Sequence, residues 1–209
     1  MRRLTVRLVL CALLLAAAAP ASRAAAADQP LLRQVLAELG RHPAVRADFV
    51  QTRASPALAR PQVSQGRLLF VLGHGMLWQT QAPFAETLAF TGRRAARIDP
   101  QGRAYPLRDA RGVSQVAQML QAMLAGRTDE VRRQFDLAAS GSPARWTLRL
   151  LPKQRRVARV LDRIELSGDA FLEDIRIVMR DGGNTDIRFH RSRDAGPLSG
   201  LEKRALGLP

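Results

Sequence analysis

The side chains best suited to metal or proton chemistry are three histidines, His42, His74 and His190, and none has a second ligand at metal spacing. Each falls in a loop or at a strand end, where a solvent-exposed histidine is the default reading. Gly73-His74-Gly75 lacks the Lys-Ser/Thr that would make a phosphate loop, so it reads as a hairpin turn. No serine sits in a Gly-x-Ser-x-Gly elbow, which removes the usual signature of acyl transfer. Most Asp and Glu residues stand beside arginines on outward strand positions, where solvated pairing is expected, and a paired-carboxylate hydrolase is the one catalytic class left open. The expectation is a protein that is not an enzyme, with no catalytic residues, no metal and no cofactor.

The one cysteine, Cys11, lies in a leader. Met1-Arg2-Arg3 and Arg7 form a positive start, Leu8 to Ala19 is an apolar run, and Ser22 to Ala27 offers small residues at cleavage spacing. The run is shorter than the roughly 20 residues of a spanning helix. Residues 1–27 are therefore expected to be a signal peptide cut between about 24 and 27, leaving 28–209 as a single exported domain without thiols. No other stretch is long enough to cross a bilayer, so a periplasmic location follows. Losing Arg2, Arg3, Arg7 and Arg23 takes the formal charge from +15 to +11. The cations are almost all arginine, Lys153 and Lys203 being the only lysines, and are scattered through strands, so nucleic acid is not expected. A solvated basic surface, or attraction to anionic lipid head groups, fits better.

What must position any site is a run of alternating strands. From Val63 to Asp99 apolar residues recur at every second position between Gly and Pro punctuation, which predicts a four-strand antiparallel meander. Same-face pairing places Leu68 opposite Trp78 and Phe70 opposite Met76, with Leu72-Gly73-His74 as a three-residue loop. Leu88 and Phe90 follow inward with Thr87, Ala89 and Thr91 outward, and Ala96 and Ile98 extend the same wall after a turn at Gly92. Val45, Ala47 and Phe49 mark an earlier strand, and Ala104 to Arg108 a short edge strand. Beyond Phe135 the pattern is strand again. A turn is expected at Ser140 to Pro143, and Gln154 to Leu161 is readable as helix or strand. Pairing Ile177 with Ile187 across an Asp181-Gly182-Gly183 loop completes it.

Two helices carry apolar stripes. The first, capped by Asp28 with Pro30 in its first turn, presents Leu31, Leu32, Val35, Leu36 and Leu39 and ends at Gly40. The second presents Val113, Val116, Met119, Leu120, Met123 and Leu124 opposite polar Ser114, Gln115, Gln118 and Gln121, and stops at Gly126. A last helical turn is expected around Leu201 to Leu206. These faces either pack on each other as a plain core or enclose a lipid pocket, and the residues leave both open. Met76, Met119, Met123 and Met179 on inner faces suit adaptable apolar partners, and Leu68 to Leu72 is apolar on both faces, more than a one-sided sheet requires.

The order of these features, a strand ending Phe49-Val50-Gln51, then Gly66, Trp78, Pro83, Gly92 and Asp99-Pro100, a Met/Leu helix and Leu151-Pro152-Lys153, resembles the LolA family of periplasmic lipoprotein carriers. The resemblance implies an α+β, mainly β fold: a curved, unclosed antiparallel barrel of about eleven strands with helices packed into its concave face as a lid. It also implies a cargo of lipoprotein or other acylated lipid, an inner-membrane donor and an outer-membrane acceptor, and a monomer. The residues expected to meet acyl chains are Phe49, Leu68, Phe70, Met76, Trp78, Leu88, Phe90, Met119, Leu120, Met123, Trp146, Leu148 and Ile177, with Leu32, Leu36 and Val116 on the lid. Where such carriers place an arginine that latches the lid this chain has Leu72, with no basic residue until Arg93, so the cargo stays open among lipoprotein, glycolipid, pigment-lipid conjugate and fatty acyl species. The alternative implied is a sensor or accessory protein that binds a membrane-anchored partner through its outer surface.

Overall fold

The computed structural model describes residues 21–92, 94–107, 118–123, 125 and 127–209, with side chains from residue 30 onward. The first twenty residues of the expected leader, and Arg93, Arg108, Val113, Val116, Leu124 and Gly126, lie outside the described residues. The strands are β1 (Ala44–Ala54), β2 (Gln62–Val71), β3 (Gly75–Ala82), β4 (Glu86–Thr91), β5 (Arg94–Ile98), β6 (Ala104–Pro106), β7 (Phe135–Ser142), β8 (Arg145–Pro152), β9 (Leu161–Gly168), β10 (Leu172–Met179) and β11 (Asn184–Asp194). Among the described residues they form one antiparallel sheet of eleven strands, in the order β6-β5-β4-β3-β2-β1-β11-β10-β9-β8-β7. The sheet keeps two edges, β6 and β7, and is an open half-barrel.

This order explains why helices cover one face. The chain starts at the centre of the sheet and meanders to one edge at β6, and it next enters the sheet at the opposite edge, β7. The segment between them must span the whole sheet. It contains α2 (118–123) and α3 (Thr128–Gln134), whose Met119, Ala122, Met123 and Val131 are buried on the concave face. α1 (Ala21–Leu39) lies on the same face, burying Leu32 and Val35 and packing near β7. α1 is already helical at Ala21, the first described residue, so Asp28 does not start it and Pro30 is internal: the alanine-rich stretch before Asp28 has high helix propensity and continues the helix backward.

The first meander has the expected register, with Leu68 opposite Trp78, Phe70 opposite Met76, and the 72–74 loop. The expected single wall is corrected at its end. Ala95 is opposite Phe90, whereas Ala96 pairs with Ala89 and Ile98 with Thr87, so Ala96 and Ile98 lie on the opposite face. That convex face is not solvated there. Leu69, Val71, Leu77, Ala89 and Ile98 are buried under Leu206 of the C-terminal helix α5 (Gly200–Leu206). The doubly apolar run Leu68 to Leu72 is thereby explained: one side belongs to the interior and the other receives α5.

The last hairpin is also corrected. Ile177 pairs with Thr185 and Ile175 with Ile187, two residues away from the expected register, and the Met179 N–H donates to the Gly183 carbonyl at 2.8 Å, so the three-residue loop is 180–182, one position earlier than expected. The Asp181 carboxylate accepts the Gly183 N–H at 2.8 Å, and Gly182 takes a positive φ of 87°, which together fix the loop at 180–182. The shift is even, so the same side chains keep the same face. Two smaller differences remain. β7 runs on through Ser142 before turning, and the ambiguous stretch splits into a short helix, α4 (Arg155–Ala158), followed by β9.

Candidate functional site

Every described residue expected at the acyl site faces the concave side, in two apolar clusters that share Leu68, Trp78 and Leu120. One cluster gathers Phe49, Met119, Met123, Trp146 and Leu148, with Ile177 and Leu36 partly buried against it, beneath Leu32. The other gathers Phe70, Met76 and Phe90, with Leu88 against them. Phe49 stacks on Trp78 with ring centroids 3.9 Å apart, and Phe189 meets Trp78 edge-on at 6.3 Å. This aromatic group sits where β1, β3 and β11 bring their side chains together, at the middle of the sheet. The Trp146 indole N–H donates to the Asp169 carbonyl at 2.6 Å, so its polar atom is satisfied and the rest of the ring is free to serve as wall.

The concave face is filled by the protein's own side chains. Phe49, Leu148 and Val35 are at most 1% exposed and Met123 is 2% exposed, so α1 and α2 occupy the space that any acyl chain would need. Helix contacts and hydrocarbon contacts are equivalent in kind. A displaced leucine loses apolar contact that a methylene, at roughly 0.8 kcal/mol each, restores. Val35, Leu150, Ile164, Leu166 and Phe189 also line this interior. Helical spacing was the signal for Val35, and alternation along strands was the available signal for the other four.

One polar residue lies on the side opposite to that expected. Gln121, expected on the solvated face of its helix, reaches the β2–β3 hairpin. Its Oε1 accepts the Gly73 N–H at 2.8 Å, and its Nε2 donates to the carbonyls of Val71 at 3.0 Å and Gly75 at 3.1 Å. The tip of the hairpin leaves those groups without ladder partners, and a side-chain amide has both the donor and the acceptor to satisfy them. An uncharged bond set thus ties α2 to the turn that carries Leu72.

The remaining expectations concern polar groups. His42 is not freely exposed: it lies half-buried, with Nδ1 2.8 Å from Asp194 and its ring 4.3 Å from that of Phe171. Among the described residues no group of three His, Cys, Asp or Glu side chains is placed to hold a metal ion. Among them also, no helix is long and apolar enough to cross a membrane.

The chain can now be set beside known proteins. No curated protein matches it by sequence. Among solved structures, a LolA superfamily protein from Nitrosomonas europaea is similar with a TM-score of 0.50 at 10% identity, over 84% of this chain and 96% of that one. A DUF1329 family protein from Desulfovibrio piger is similar with a TM-score of 0.50 at 9% identity, over 86% of this chain and 98% of that one. At such identities the likeness is one of fold. The sequence itself matches a family across residues 18–187, from before α1 into β11, and by that match the chain belongs to the family described as outer membrane lipoprotein carrier protein LolA-like.

Proposed function

We propose that this protein is a periplasmic carrier that shields the acyl chains of a lipoprotein or related lipid between its concave sheet and its helices, and moves that cargo from the inner to the outer membrane. The observation that carries the reading is the covering of the concave face. A continuous apolar surface runs from Phe90 through Trp78 and Phe49 to Trp146, and it is roofed by helices on a crossover segment. A plain core would serve stability alone. Here the roof contributes apolar side chains, three of them methionine or alanine on α2, and one amide latch at Gln121.

The physics of transport requires both features. A multi-acyl anchor cannot cross an aqueous compartment unshielded, since each exposed methylene costs roughly 0.8 kcal/mol. Release requires a closed form only slightly preferred, so that hydrocarbon can displace the lid and the lid can displace hydrocarbon. Uncharged contacts suit that balance, because breaking them leaves no buried unpaired charge. The secretory pattern of the N-terminal sequence supports a location outside the inner membrane, and the family description, a lipoprotein carrier, supports an acylated cargo. A donor at the inner membrane and an acceptor at the outer membrane complete the route.

The test is mass spectrometry of solvent extracts from protein purified out of its native envelope. A stoichiometric acylated species is expected. Lipid-free protein that instead retains a protein partner would refute transport and favour an accessory role through the outer surface.

A further inference from the structure

On the convex face, away from the apolar interior, a cleft of about 610 Å³ opens between the centre of the sheet and α5. Four arginines and two carboxylates line it: Arg46 and Asp48 of β1, Arg67 of β2, Arg191 and Arg193 of β11, and Glu202 of α5. Register brings them together, since Arg46 is opposite Arg193 and Asp48 is opposite Arg67. Arg46 forks onto Glu202 at 2.5 and 2.9 Å. Arg191 donates to Asp48, and Arg67 stands 3.9 Å from the same carboxylate. Arg193 donates to the Arg191 carbonyl at 3.2 Å and has no carboxylate partner among the described residues. Four positive charges thus face two negative ones, and the side chains of Arg67 and Arg191 are 67% and 71% exposed.

The backbone is bent to produce this cluster. Between the Arg46–Arg193 and Asp48–His190 pairs, β11 carries one residue more than β1, a bulge at Arg191 and Ser192. Arg191 sits there at φ 56°, a left-handed conformation that a side chain other than glycine's adopts only at a cost. Strict alternation from Phe189 would point Arg191 and Arg193 into the apolar interior. The bulge turns both to the convex side, the re-aiming that bulges perform beside functional sites.

We propose that this cleft is a binding site for a phosphate group, as a soluble diphosphate or as a phosphorylated lipid head group. A surplus of two positive charges favours a group carrying two or more negative charges, as a diphosphate or a phosphomonoester does, while a single carboxylate would only duplicate what Asp48 and Glu202 already offer. Guanidinium forks suit the tetrahedral oxyanion, and the volume lies within the usual range of small-molecule sites. The site is separate from the acyl interior, so the two readings stand or fall independently.

The test is calorimetric titration of the processed protein with inorganic pyrophosphate, run beside flotation with phosphatidylcholine vesicles with and without phosphatidic acid. Saturable binding is expected to weaken about tenfold in Arg193→Glu and Arg67→Glu, but not in Arg145→Glu, which makes the same charge change at an exposed hairpin end. The milder Arg193→Gln is expected to follow the same direction with the fold undisturbed. Binding of pyrophosphate without vesicles supports a soluble source, and recruitment to phosphatidic acid that depends on Arg193 supports a head group. Absence of both, or equal weakening by Arg145→Glu, overturns the proposal.

Discussion

Replacing Gln121 with alanine isolates the lid from the core. The substitution removes three hydrogen bonds at 2.8, 3.0 and 3.1 Å while leaving every buried apolar side chain of the interior in place. At about 0.5–1.5 kcal/mol each the three sum to at most about 4.5 kcal/mol. Two facts of the site reduce it. The Val71 carbonyl also accepts the His74 N–H at 3.1 Å, and Gly73 is exposed, so water can replace its partner. About 1.5–3 kcal/mol of preference for the closed form is the expected loss. While the open form is a minor one, its population rises by the corresponding factor of about 10 to 150, and the apparent affinity for an acyl ligand rises equally, because less work is spent on opening. The measurement is a fluorescence titration with a dansylated fatty acid, alongside thermal unfolding. Ile98→Val, in the convex cluster under α5, is the matched control: it should lower stability by about 0.5–1.5 kcal/mol with no change in affinity. A folded Gln121→Ala protein that binds the probe no better than the parent would refute the lid.

Other expectations follow from particular contacts. Trp78→Asp and Met119→Asp place a charge within the stack on Phe49 or under the roof and should abolish lipid pickup; an unchanged lipid load in the folded variants would contradict an interior site. Glu202 is held at about 2, chiefly by the side-chain hydrogen bonds from Arg46, opposed by burial and helped by the Ser199 N–H and hydroxyl. Because that value lies below the usual one, the contribution is complete above about pH 5 and is lost as pH falls toward 2, amounting to about 1–2 kcal/mol after solvent screening. Unfolding midpoints should therefore fall less steeply with acid in Glu202→Gln, and identical slopes would defeat the assignment. Gly66→Ala would set a Cβ 1.9 Å from the Gln79 carbonyl oxygen, and main chain cannot yield cheaply. A loss of about 2 kcal/mol or more, several degrees in melting temperature, is expected by calorimetry, and parental stability would show that β2 and β3 part more easily than their register implies.

Much of the molecule is written locally. Alternation fixes which residues of β2, β3 and β4 share a face, because a strand's side chains have period two and a short loop admits one register; Leu68 with Trp78 and Phe70 with Met76 follow from that alone. The same logic missed the register of the final hairpin by two residues, since Asp181 and Gly182 set the three-residue loop one position earlier through a side-chain hydrogen bond and a positive φ that a hydrophobic pattern does not encode. Ala96 and Ile98 are small or aliphatic enough for either face, and only the packing of α5 decides for the convex one. Gln121 looks like a solvated residue on a helix wheel until the hairpin it serves is brought alongside from about fifty positions away. The arginines of the convex cleft are likewise dispersed along β1, β2 and β11 and become one cluster through strand order and a bulge. Sequence by itself determined most of the elements and their apolar faces, which depend on neighbours a few residues apart. Tertiary structure decided what covers each face and which distant polar groups meet, because those outcomes depend on how the chain crosses from one sheet edge to the other.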